Sequence, residues 1–62
     1  MDAAALLDIY DEALEEAHAR GIGAPDDSKE AMTAAAMMLA AMDGIEDEAA
    51  YTQVQDIVAA NH

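Results

Sequence analysis

A chain of 62 residues carrying fourteen acids against two bases, formal net charge −12, makes one small domain whose field repels nucleic acid and anionic membranes and attracts basic protein surfaces. Hydrophobic residues make up 55% of it, but 17 alanines supply half of that share and Phe, Trp and Cys are absent, which excludes disulfides and thiolate metal sites and predicts a thin core. There is no basic leader and no apolar run long enough to span a bilayer, so the cytosol of the producing cell is the expected location.

The first helix is predicted over about residues 2–20, with Asp2 as N-cap and with His18 and Arg20 in the last turn, where positive charge suits the helix dipole. At about 100° per residue, Asp8, Asp11, Glu12, Glu15 and Glu16 share an arc of roughly 140°, and Leu6, Leu7, Ile9, Tyr10, Ala13, Leu14 and Ala17 lie opposite. No Lys or Arg is interleaved among these acids. The pairs Asp8–Asp11, Asp8–Glu12, Asp11–Glu15, Glu12–Glu15 and Glu12–Glu16 are therefore all like-charge, each costing about 0.2–0.5 kcal/mol. A helix selected for stability alone would mix the signs.

Arg20-Gly21-Ile22 has the form of a Schellman stop, with glycine in the left-handed position and an apolar residue folding back; Asp43-Gly44-Ile45 repeats it. Two stops imply three helices. The second is predicted over about 25–43, opened by Pro25 with a capping box between Asp27 and Glu30. From Ala31 to Met42 only Thr33 is not apolar, and Met32, Ala35, Met38, Leu39 and Met42 are assigned to the core face. Met37 falls opposite, among Thr33, Ala34, Ala40 and Ala41, on an uncharged back face that is a candidate homodimer seam or second contact site. The third helix is predicted over about 46–60, with Glu46, Asp47 and Glu48 at its electropositive start and Ala50, Tyr51, Val54, Ile57 and Val58 facing inward. The expected architecture is all-α, a single compact three-helix domain spanning residues 1–62.

Signals for catalysis are poor. Nucleophiles are limited to Ser28, Thr33, Thr52 and the tyrosines, and the general bases titrating near neutrality are His18, expected as a solvent-facing cap residue, and His62. Neither Asp26, Asp27 and Glu30 nor Asp43, Glu46, Asp47 and Glu48 follows the spacing of a calcium-binding loop. The chain is therefore expected to be no enzyme and to hold no metal or cofactor.

Asp27-Ser28 opening a Met-rich helix, with the run Thr52-Gln53-Val54-Gln55-Asp56-Ile57, resembles acyl and peptidyl carrier proteins, a likeness that would make Ser28 a phosphopantetheine attachment point. Lys29 departs from the apolar residue usual after that serine, and the long first loop of the family is missing. Salt adaptation offers another account of the acids, since screening in high salt removes their repulsion. The third account is mimicry of DNA. Five acids over Asp8 to Glu16 place one charge per roughly 3 Å of helix axis, against one per about 3.4 Å along a strand of B-DNA. Asp26, Asp27, Glu46, Asp47 and Glu48 are secondary candidates that would extend the negative surface.

In length, charge and helical content, with DIYDEALEEAHARG at its centre, the chain resembles the small acidic anti-CRISPR proteins of phages and mobile elements, particularly those acting on the type I-C surveillance complex. That class shares no motif, so no residue roles are carried over. The resemblance implies a protein in the bacterial host cytoplasm that occupies a basic DNA-binding surface of the complex and blocks target DNA. The residues themselves point to an acidic ligand for a basic, nucleic-acid-binding protein, with no nucleic acid or membrane bound directly.

Overall fold

The computed structural model describes residues 1–61 and contains three helices, α1 (Ala3–Ala19), α2 (Asp26–Asp43) and α3 (Asp47–Ala60), with no strand among the described residues. Each helix begins one residue later than the sequence pattern suggests, because Asp2, Pro25 and Glu46 are caps with non-helical backbone. His62, a candidate base, lies outside the described residues.

Local chemistry sets the ends of α1. Asp2 accepts a hydrogen bond from the Ala5 N–H at 2.8 Å, satisfying one of the donors that the first turn leaves orphaned. At the other end Ile22 N–H reaches the Ala17 carbonyl at 3.0 Å and Gly21 N–H reaches that of His18 at 2.9 Å, the two bonds of a Schellman motif. Gly21 has φ +81°, where a Cβ would meet no atom but would strain the backbone. Gly21→Ala is therefore expected to destabilise the domain by about 1 kcal/mol, lowering its melting temperature by about 4 to 8 °C in a thermal denaturation.

The other ends depart from expectation in detail. Gly44, φ +68°, closes α2 on a single bond to the Ala40 carbonyl at 2.9 Å, a simpler left-handed cap than the Schellman form. The capping box at the start of α2 does not form. Asp27 is already inside the helix, and Glu30 is drawn away to Arg20 across the connection.

Helix α2 lies between the other two, packing along both α1 and α3, which barely touch each other. The core is correspondingly thin. Leu6, Tyr10, Leu39 and Val54 supply its bulk, and Ala31, Ala35, Ala36 and Ala50 let the helices close around them. Partly buried Ile9, Leu14, Met32, Ile45, Ile57 and Val58 pack on its margin.

Two methionines assigned to this core from the sequence are not in it. Met38 and Met42 are 47% and 67% exposed, and Ala36 is buried instead. The reason is the path of α1 over α2. The Met1 ammonium pairs with Asp43 at 3.0 Å and Arg20 pairs with Glu30 at 2.9 Å, so α1 begins near the end of α2 and ends near its start. Glu30 and Asp43 lie roughly 140° apart around α2, so the crossing is oblique. It covers Ala31 and Ala35 near one end of the crossing and leaves Met38 and Met42 bare near the other.

Candidate acidic interface

The direction of the α1 carboxylates follows from the burial of the opposite face. Leu6, Tyr10 and Ala17 are buried and fall within roughly 40° of one another around the helix. Asp8, Asp11, Glu12, Glu15 and Glu16 centre almost diametrically opposite and are all exposed. None of the five has an ion pair or a side-chain hydrogen bond among the described residues. Arg20 stands one turn beyond Glu16 yet turns away from it, to Glu30. The carboxylates thus form a row of charge with no internal counter-ion.

The secondary acids lie at the starts of α2 and α3. Asp26 is exposed in the first turn of α2, beside the end of α1, while Glu46 caps α3 and Asp47 and Glu48 occupy its exposed first turn, beyond the end of α2 that lies near the start of α1. Asp27 is occupied within the fold. Its Oδ2 lies 2.7 Å from His18 Nε2, and its Oδ1 accepts the Ser28 N–H at 2.7 Å. His18 is accordingly a bridge from α1 to α2, although more than half of its side chain remains exposed; the sequence suggested a residue facing only solvent.

The hydrogen bond with His18 and that from Ser28 hold the Asp27 carboxyl below its ordinary value of 3.8, outweighing the opposing effect of burial. A depressed folded-state pKa gives stability that is present above the unfolded value and lost as pH falls through the folded one. Asp27→Asn is therefore expected to flatten the loss of stability below about pH 3.8, as measured by urea denaturation across the acid range.

Arg20 and Glu30 form, with Ala13, Glu16 and Ala34, a shallow groove of about 140 Å³ between α1 and α2 at the edge of the acidic row. Sequence periodicity did not single out this pair, because it joins residues across a turn and belongs to no one helix face.

The remaining candidates for chemistry are committed elsewhere. Ser28 is half-buried, and its Oγ accepts a hydrogen bond from the Tyr10 hydroxyl at 3.4 Å, so it faces the core from the start of α2. Thr33 and Thr52 donate to the carbonyls of Lys29 and Glu48 one turn earlier. Among the described residues no group of three or more His, Asp or Glu side chains is placed to hold a metal ion, and no helix is long and apolar enough to cross a membrane. What the surface offers is charge: outward carboxylates on α1, and further exposed acids at the starts of α2 and α3. No protein-family model matches the chain, and neither a curated protein nor a solved structure matches it significantly.

Proposed function

We propose that the protein is an acidic ligand that occupies a basic DNA-binding surface of a nucleic-acid-binding protein and competes there with DNA. The observation that carries this reading is the row formed by Asp8, Asp11, Glu12, Glu15 and Glu16, fully outward and free of internal cations. A structural role would give these carboxylates partners within the chain. Their axial spacing of roughly 3 Å lets a groove built for phosphates accept them in place of a DNA strand. The mechanism is steric and electrostatic, with no cofactor and no turnover. The long-range field speeds the encounter and loses strength as salt rises.

The likeness to small acidic anti-CRISPR proteins makes a type I surveillance complex, type I-C first, the partner to test, which places the protein in the cytoplasm of a bacterial host. Immobilised native protein, incubated with bacterial lysate at physiological salt, is expected to retain one DNA-binding complex that added duplex DNA elutes. A bait with the five α1 acids changed to Asn and Gln is expected to retain none of it. Equal retention by both baits, or none by either, would sink the proposal.

A further inference from the structure

We propose that the bare side of α2 is the seam of a homodimer, closed by the same face of a second copy. Met37, Met38 and Met42 are 63%, 47% and 67% exposed, and with the exposed Ala41 they share one side of the C-terminal half of α2. Helices α1 and α3 both pack along α2 and leave these three methionines uncovered.

Two further observations select a second copy as the occupant. The first is electrostatic. On a chain of net charge −12, the stretch Ala31–Met42 contains no charged residue, whereas α1 and the starts of α2 and α3 are lined with acids. A second copy brings another −12 and can approach only where neither surface is charged. A basic partner would gain nothing from this face. The second is the weakness of the core. Five of the nine buried hydrophobic residues among those described are alanine, and the chain has no cysteine to staple it. Domains of this size commonly acquire the missing stability by oligomerising. A two-fold arrangement suits the surface: Ala41 lets two helices come close, and the flexible methionines fill the space on either side.

The test is the mass of the intact protein by sedimentation equilibrium from about 5 µM to about 0.5 mM, in low and in high salt, because association through this face depends on concentration. The native protein is expected to reach the dimer, and to do so at lower concentration in high salt, which screens the repulsion between copies. Met37→Glu and Met42→Glu, made separately at exposed positions, are each expected to weaken self-association about 100-fold, since the two-fold axis places two unpaired charges in every seam. Far-UV circular dichroism of each variant identifies one that fails to fold, and the other then decides. A native protein that stays monomeric over the whole range in both salts overturns the inference. So does a dimer that persists unchanged in a folded variant.

Discussion

Neutralising Asp8, Asp11, Glu12, Glu15 and Glu16 together, with Asn for Asp and Gln for Glu, is expected to abolish partner binding and at the same time raise the stability of the free domain. The two effects have one origin. Five like-charge pairs along α1, each unfavourable by about 0.2–0.5 kcal/mol, sum to about 1–2.5 kcal/mol of repulsion that the substitutions remove. Helix propensities of the amides are close to those of the acids, so little is lost in exchange. For a domain of this size the gain corresponds to a rise of about 4 to 20 °C in melting temperature at low ionic strength. In molar salt the native protein and the variant are expected to melt together, since screening removes the difference. A variant less stable than the native protein at low salt would mean that the carboxylates have structural partners, and would count against mimicry. Higher stability with undiminished binding would move the interface to the acids around Asp26 and Glu46.

Leu39→Ala is expected to be the most damaging single substitution in the molecule. Leu39 is 2% exposed, in contact with a cluster whose other α2 members are alanines, and short side chains at Ala31, Ala35 and Ala36 cannot reach into the void it would leave. Leucine-to-alanine changes at such sites cost about 2–5 kcal/mol, and the upper half of that range applies where neighbours cannot collapse. The whole domain has about 3–9 kcal/mol to lose, from the usual 0.05–0.15 kcal/mol per residue. Urea denaturation at a fixed protein concentration should therefore show a native baseline that is short or missing. Met38→Ala, at the adjacent position roughly 100° around α2 and half exposed, should change the midpoint little in a monomer. A loss comparable to that of Leu39→Ala, seen only at high protein concentration, would add weight to the seam on this face.

Much of this architecture was written in local sequence. Asp2 and Gly21 act within one turn of their own position, so the ends of α1 follow from residue type, and Gly44 stops α2 for the same reason. The acidic face of α1 was equally legible. Large apolar residues at Leu6, Tyr10 and Leu14 alternate with acids at the helical period, and only one orientation buries the former. Helix α2 offered no such contrast, because almost every residue from Ala31 to Met42 is apolar and periodicity alone could not distinguish a covered face from a bare one. That was decided by the oblique crossing of α1, which goes with packing between helices and with ion pairs at the two ends of the α1–α2 pair, Arg20 with Glu30 and Met1 with Asp43. The same tertiary contacts took Asp27 out of the free acidic surface by giving it His18. Sequence by itself determined that there are three helices and which side of the first is charged, because both depend on interactions within a few residues. Only the tertiary structure decided which methionines stay outside and which carboxylates remain unpaired, because both depend on where another helix comes to lie.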